Sequence, residues 1–172
     1  MEDYRQLLIT FLEEPSKENF LIARNFVVSH ETYSPYDQEH KSLEMLYSKG
    51  EYETVNKGIS ALMPNWLLSP YIHIFWSMVA NKLSDQANSK MEMFIAQMCI
   101  KGILSTGDGS PEHPFLVTRT LDEYDILREM NKELEMQSLN KENGKHLDYL
   151  RCKDGTEIVF DITDLIFRAM QF

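Results

Sequence analysis

The sequence predicts an α+β protein with about six N-terminal helices, paired as antiparallel hairpins and packed with a small C-terminal antiparallel β-sheet flanked by helices. Three observations predict this architecture. Apolar residues recur at three- and four-residue spacing through residues 1–104, which is typical of amphipathic helices. The starts of alternate helices fall near residues 3, 37 and 69, and a period of about 34 residues is typical of tetratricopeptide-like (TPR-like) hairpins. Residues 105–172 instead contain short apolar or alternating stretches separated by glycine turns, which indicates strands.

The composition is that of a single compact domain over residues 1–172. Hydrophobic residues make up 43% and charged residues 26% of the chain, which is sufficient for a sizeable core. Acidic residues outnumber basic ones 27 to 17, and the formal net charge is −10. Because such a surface repels phosphate groups, we expect neither a nucleic acid nor a membrane as partner. The two cysteines, Cys99 and Cys152, are expected to be free thiols in a cytoplasmic protein, since the N-terminal residues lack a signal-peptide pattern.

The helical part carries local start signals. Short polar residues that can accept a hydrogen bond from a backbone N–H precede several of the apolar periodic segments. The predicted helix starts are Asp3, Ser16, Asp37, Glu51, the Ser69-Pro70 pair and Asp85. The fifth helix, which follows Ser69, is apolar nearly all round, so we predict that it is the most buried helix.

Two connections between these helices carry clusters of aromatic residues. They are the Tyr33-Ser34-Pro35-Tyr36 segment and the segment from Trp66 to Tyr71. Such rings commonly pack neighbouring hairpins against one another. The functional alternative is a peptide-binding groove in which the rings are anchors for a partner.

The second part of the chain has the predicted order β-α-β-β-β-α. The predicted elements are a strand over 115–118, a helix over 120–130, a weak strand over 134–139, two strands over 147–152 and 157–162, and a helix over 163–170. Thr120 and Glu123 match a capping box at the start of the first of these helices. The Asp154-Gly155 turn between two strand-like runs predicts a β-hairpin.

Five short motifs occur in a fixed order in this half of the chain. They are Ile103-Leu104-Ser105-Thr106-Gly107-Asp108-Gly109, Pro114-Phe115-x-Val117, Asp122-Glu123-Tyr124-x-x-Leu127, Gln137-x-Leu139 and Ile158-x-Phe160-Asp161. Together they resemble, over about residues 35–165, an uncharacterised family of small proteins in which a helical half precedes a Gly-Asp-Gly loop, a Glu-Tyr helix and a small sheet. Thr106 stands where that family usually has serine. The resemblance implies the architecture and singles out the loop, but it implies no activity.

The Gly-Asp-Gly loop is the most specific candidate site in the sequence. Glycines permit a positive φ and can expose consecutive backbone N–H groups that bind an anion. The simpler interpretation is a turn that reverses the chain after a helix, because the spacing matches neither a P-loop nor a dinucleotide-binding motif. The residues predicted to bind a ligand or partner are Gly107, Asp108, Gly109, His113 and Tyr124.

No catalytic residue, metal site or cofactor is predicted. Asp108, Glu112 and His113 lie within six residues, but the chain lacks the spacings typical of zinc and calcium sites. Cys99 lies among apolar residues and is expected to be a buried, unreactive thiol. His73 lies on the most apolar helix and is expected to be a core histidine whose hydrogen bonds are satisfied.

These features favour a non-enzymatic protein–protein interaction module that binds a protein or peptide through its helical face or through the 105–114 loop. The acidic surface suits a basic peptide. The alternative is a small-ligand-binding or hydrolytic domain with its site at the Gly107–Pro114 loop. Convergence of Asp108, His113, Tyr124 and Asp161 around one cavity would favour that alternative.

Overall fold

The computed structural model describes residues 3–170, which contain eight helices and four strands. The helices are α1 (Tyr4–Glu13), α2 (Lys17–Ser29), α3 (Glu39–Ser48), α4 (Tyr52–Ala61), α5 (Pro70–Lys82), α6 (Gln86–Ser105), α7 (Thr120–Glu129) and α8 (Thr163–Ala169). The strands are β1 (Phe115–Leu116), β2 (Leu134–Glu142), β3 (Lys145–Cys152) and β4 (Glu157–Asp161). The α+β class and the helical first part are therefore confirmed. Within residues 3–170, none of the helices combines the length and the apolar character that crossing a membrane requires.

Local hydrogen bonds explain where several of the first helices begin. The Asp3 carboxylate accepts a hydrogen bond from the Arg5 N–H at 3.0 Å, and Ser16 Oγ accepts one from the Asn19 N–H at 3.1 Å. Asp85 caps α6 in the same way. Consecutive helices then pack as the pairs α1–α2, α3–α4 and α5–α6.

Two of the predicted caps, Asp37 and Ser69, bind distant partners. Helix α3 begins at Glu39, one residue later than a cap at Asp37 would place it. The Asp37 carboxylate accepts a hydrogen bond from the Glu39 N–H at 3.2 Å and also one from Trp66 Nε1 at 3.1 Å. Ser69 does precede α5, but its hydroxyl donates to the Asp122 carboxylate at 2.6 Å and does not cap the helix. Both side chains therefore connect separate elements.

The predicted Thr120–Glu123 capping box is wrong. Arg119 is the residue before α7, and its N–H donates to the Asp122 carboxylate at 3.1 Å. Because the Asp122 carboxylate caps the helix, the Glu123 carboxyl is not needed for capping. It is fully buried, and it accepts a hydrogen bond from Gln137 Nε2 on β2.

The four strands form one sheet in the order β1-β4-β3-β2. The pairs β2–β3 and β3–β4 are antiparallel, and the predicted hairpin at Asp154-Gly155 is confirmed. The sheet is mixed, however, because β1 pairs with β4 in parallel, and the expectation of a wholly antiparallel sheet is wrong. Helix α7 and the β2–β3 hairpin separate these two strands in the chain and provide the crossover that parallel pairing requires. β1 ends at Leu116 because the Val117 carbonyl accepts hydrogen bonds from the Arg24 guanidinium instead of a neighbouring strand.

The buried apolar residues form two clusters. The larger cluster lies between the sheet and helices that include α1, α2 and α6, and Phe20 and Phe160 belong to it. The second cluster lies among α3, α4 and α5, and Ile59 and Ile72 belong to it. Met63 packs against both clusters. Seven of the 13 residues of α5 are buried, which is the largest share of any helix within residues 3–170 and confirms the prediction that it is the most buried helix.

Candidate functional site

A cleft of about 230 Å³ opens at the boundary between the helical part and the sheet part. Its walls come from the α2–α3 connection, the first turn of α3, the α4–α5 connection and the start of α7. We call it the aromatic cleft, and its principal residues are Tyr36, Asp37, His40, Trp66, Arg119 and Tyr124. The two aromatic connections that the sequence presents thus meet at one place.

Arg119 and Trp66 form one wall of the aromatic cleft. The guanidinium carbon of Arg119 lies 3.5 Å from the centre of the Trp66 ring, which is a close cation–π contact. Arg119 Nη2 donates hydrogen bonds to the backbone oxygen and the side-chain Oδ1 of Asn65, at 2.9 and 3.0 Å. Burial lowers the pKa of Arg119 from its usual range, while the nearby Asp122 and Asp37 carboxylates act in the opposite direction. Its Nε has no hydrogen-bond partner within residues 3–170.

Asp37 ties the α2–α3 connection to this wall. Both of its carboxylate oxygens accept a hydrogen bond from Trp66 Nε1, at 3.1 and 3.2 Å, and Oδ2 also accepts one from Asn65 Nδ2. Oδ2 lies 3.6 Å from Arg119 Nη1. Because one carboxylate contacts three side chains of two other segments, this part of the aromatic cleft is held in one geometry.

His40 lies against the same tryptophan. Its ring centre is 4.9 Å from that of Trp66 and 5.6 Å from that of Tyr71, to which it stands edge-on. Burial lowers the pKa of His40 below its usual value, so the imidazole is neutral at pH 7. Its Nδ1 is buried and has no hydrogen-bond partner within the described part of the chain.

Two exposed tyrosines, Tyr36 and Tyr124, also line the aromatic cleft, and we call this part of its lining the tyrosine side. The side chains of Tyr36 and Tyr124 are 42% and 37% exposed, so their ring faces are available to a ligand. Tyr124 Oη donates to Gln137 Oε1 at 2.7 Å. Gln137 Nε2 in turn donates to Asp148 Oδ2 at 2.6 Å and to Glu123 Oε2 at 3.3 Å. Strand β2 thus connects the rim of the cleft to two buried carboxyl groups.

Glu123 on α7 and Asp148 on β3 form a buried carboxyl pair. Burial, followed by the charges of Asp148 and Asp122, raises the pKa of Glu123 well above its usual value. Burial also raises the pKa of Asp148, while its hydrogen bonds from Gln137 and Glu123 act against that increase. Glu123 Oε1 and Asp148 Oδ1 have no other partner within residues 3–170, and a proton carried by Glu123 and donated to Asp148 satisfies both. Burial and mutual repulsion therefore favour the state in which the pair holds one proton and one negative charge.

The Gly-Asp-Gly loop is a turn closed by its own hydrogen bonds. The N–H groups of Asp108 and Gly109 both donate to the His113 carbonyl, at 2.9 and 3.1 Å. The Asp108 carboxylate accepts a hydrogen bond from the Ser110 N–H at 2.9 Å. Gly107 has no room for a side chain, because a Cβ there would lie 2.1 Å from the His113 carbonyl oxygen. The two N–H groups that could hold an anion are thus already engaged.

The structure does not bring the five predicted site residues together. Tyr124 lines the aromatic cleft, whereas Gly107, Asp108, Gly109 and His113 are not among its lining residues. Asp161, whose convergence with Asp108, His113 and Tyr124 would favour the small-ligand alternative, is not among the lining residues either; it lies at the end of β4 and forms an ion pair with Lys145 at 3.2 Å.

Other titratable groups have structural partners. His73 faces Glu92 Oε2 through Nδ1 at 2.7 Å and the Leu67 carbonyl through Nε2 at 2.8 Å, which confirms a core histidine with satisfied hydrogen bonds. Cys99 and Cys152 are buried free thiols, and burial raises the pKa of Cys99 far above its usual value. Within residues 3–170, no three His, Cys, Asp or Glu side chains are grouped so as to hold a metal ion.

Sequence reasoning missed Arg119, Asp37 and the Glu123–Asp148 pair as parts of a site. Glu123 has a plausible local role in a capping box, which concealed its contact with the sheet. Gln137 was a signal that could have been used, because a polar residue in a strand beside a helix often faces a buried polar group. No protein-family model matches this sequence, and no curated protein or solved structure matches it significantly.

Proposed function

We propose that the protein is a non-enzymatic interaction module that binds an extended segment of a partner protein in the aromatic cleft. One observation carries this proposal: aromatic residues from two separate connections and from α7 line a single cleft. Tyrosine and tryptophan are the residues that most often anchor protein interfaces, because they offer a large contact area with few rotatable bonds.

The rigidity of the aromatic cleft supports binding of a segment that orders on contact. Trp66 is 1% exposed and is fixed by Asp37 and Arg119, so a partner would meet a wall that is already formed. A preformed wall reduces the entropy that binding must remove, which favours affinity from a small contact area.

The helical part is the scaffold of this module. The pairs α1–α2, α3–α4 and α5–α6 follow one another with the spacing of TPR-like hairpins, and we propose that they are such a stack. The buried free thiols suit a cytoplasmic location. The alternative site at the Gly107–Pro114 loop has less support, because the backbone N–H groups of Asp108 and Gly109 are occupied within the loop.

Selection of peptides from a random library tests the proposal. Peptides selected on the wild type are expected to lose affinity by about tenfold or more when Tyr36→Ala or Tyr124→Ala removes an anchor contact. Tyr149→Ala, which removes a half-buried tyrosine from β3 outside the aromatic cleft, is the matched control and should leave binding unchanged.

Circular dichroism establishes first that each variant is folded. Peptides that bind the Tyr36 and Tyr124 variants as well as the wild type would contradict the proposal. Peptides that lose affinity only with Asp108→Ala would place recognition at the loop.

A further inference from the structure

We infer that the aromatic cleft accepts a cationic side chain, lysine or arginine, between Tyr36 and Tyr124 as the anchor of the partner segment. This inference rests on the proposed function and specifies its ligand. It follows from the two exposed rings and from the buried carboxyl pair to which one of them is connected.

The geometry links the tyrosine side of the cleft to a negative charge. The Tyr124 hydroxyl donates to Gln137, whose amide donates to the Asp148 carboxylate at 2.6 Å. Asp148 is 4% exposed, and no cationic side chain within residues 3–170 forms an ion pair with it. A buried carboxylate without a cationic partner attracts a positive group to the nearest accessible surface.

The two sides of the aromatic cleft differ in how their carboxylates are paired. After burial, the negative charge of the Glu123–Asp148 pair is the electrostatic cause that raises the pKa of both Tyr36 and Tyr124. Around His40, Glu44 and Asp37 raise the pKa, and Arg119 and Lys41 act against them with smaller effects. The Asp37 carboxylate there is paired with Arg119 at 3.6 Å, whereas the carboxyl pair behind the tyrosines has no cationic partner within residues 3–170.

Aromatic rings and a nearby negative charge favour the same kind of ligand. The face of a tyrosine ring attracts an ammonium or guanidinium group, and two rings can contact the methylene stem of lysine or arginine. The formal net charge of −10 also favours the approach of a basic segment. An anionic side chain at the same place would be repelled by the carboxyl pair.

Three small amides that differ only in their side chain test the inference. The probes are the Nα-acetyl N-methylamides of lysine, norleucine and glutamate, titrated into ¹⁵N-labelled full-length protein while amide chemical shifts are recorded. The lysine probe should shift the signals of Tyr36 and Tyr124. Norleucine, which has the same chain without the ammonium group, should bind about five- to tenfold more weakly. Glutamate should not shift these signals.

Two variants separate a local charge from the overall charge. Asp148→Asn combined with Glu123→Gln removes both ionisable groups of the pair, and with them its one negative charge, and retains an acceptor for Gln137 at each position; it should weaken binding of the lysine probe about three- to tenfold. Glu53→Gln changes the net charge equally on the exposed surface of α4 and should leave binding unchanged. Both variants are checked by circular dichroism for a native fold.

Several results would overturn the inference. Equal affinity for lysine and norleucine would make the anchor apolar, and preference for glutamate would place an anion beside Arg119 and Lys41. Absence of shifts at Tyr36 and Tyr124 with every probe would also contradict it. Peptides selected from the library that bind the cleft without lysine or arginine would leave the proposed function standing while this inference fails.

Discussion

The buried carboxyl pair predicts that stability falls as pH rises and that Glu123→Gln removes this dependence. The pKa of Glu123 in the folded protein lies well above the ordinary value of 4.5 that it has when unfolded. Between these two values the unfolded chain has released the proton while the folded chain still holds it. Glu123 therefore favours folding below about pH 4.5, and that contribution is lost as pH rises through the pKa of the folded state.

Proton linkage gives the size of this effect on the free energy of unfolding. The loss is about 1.4 kcal/mol for each pH unit between the unfolded and folded pKa values. A glutamine at position 123 can donate its amide hydrogen to Asp148 and accept the hydrogen bond from Gln137, so it keeps both contacts of the protonated acid. The variant should match the wild type near pH 4.5 and become more stable than it by about 1.4 kcal/mol per pH unit above that, until the pH reaches the pKa of Glu123 in the folded protein.

Urea unfolding followed by circular dichroism at pH 5, 6, 7 and 8 measures this difference. Burial also raises the pKa of Asp125, to about 6, but that group is present in both proteins, so its contribution cancels. Glu53→Gln is the control for removal of an exposed carboxylate. Its free energy of unfolding should change with pH in the same way as that of the wild type. A difference between Glu123→Gln and the wild type that stays constant with pH would refute the shared-proton arrangement.

Three further substitutions test the packing. Phe75→Ala should lower the free energy of unfolding by about 3–5 kcal/mol in one cooperative transition, and two separate thermal transitions would contradict a common core. Gly107→Ala should lower the melting temperature by about 5 °C or more because the added Cβ meets the His113 carbonyl oxygen, and an unchanged value would show that the loop adjusts. His73→Leu leaves Glu92 buried without its partner and should destabilise by about 3–5 kcal/mol, whereas His73→Leu combined with Glu92→Leu should cost less in chemical denaturation.

Features set by neighbouring residues could be predicted from the sequence. Ser16 and Asp85 cap helices because their partners lie three residues along the chain, and such contacts depend on local conformation alone. The Asp154-Gly155 hairpin was predictable for the same reason, since Gly155 adopts a φ of +84° that the turn requires. Burial of α5 followed from its composition.

Features set by distant residues could not be predicted in the same way. Asp37 does accept a local hydrogen bond from the Glu39 N–H, but its contacts with Trp66 and Asn65 span 28 or more positions and have no local pattern. Parallel pairing of β1 with β4 depends on the path of the intervening chain, and two residues of strand carry no pattern that reveals it. The aromatic cleft could be predicted only as two separate aromatic segments, because their meeting is a property of the packed helices.

Adjacent carboxyl groups at the start of α7 show how position decides what an acidic residue does. Asp122 accepts four hydrogen bonds, from the Ser69 hydroxyl, from the N–H and hydroxyl of Thr118 and from the Arg119 N–H. Only an ionised carboxylate accepts from every donor without presenting a proton of its own, so Asp122 holds α7 against the helical part as an anion. Glu123, one residue further, faces the carboxylate of a strand and must carry a proton there. The same turn of helix therefore holds one carboxylate that anchors α7 as an anion and one protonated carboxyl whose partner on β3 keeps a negative charge.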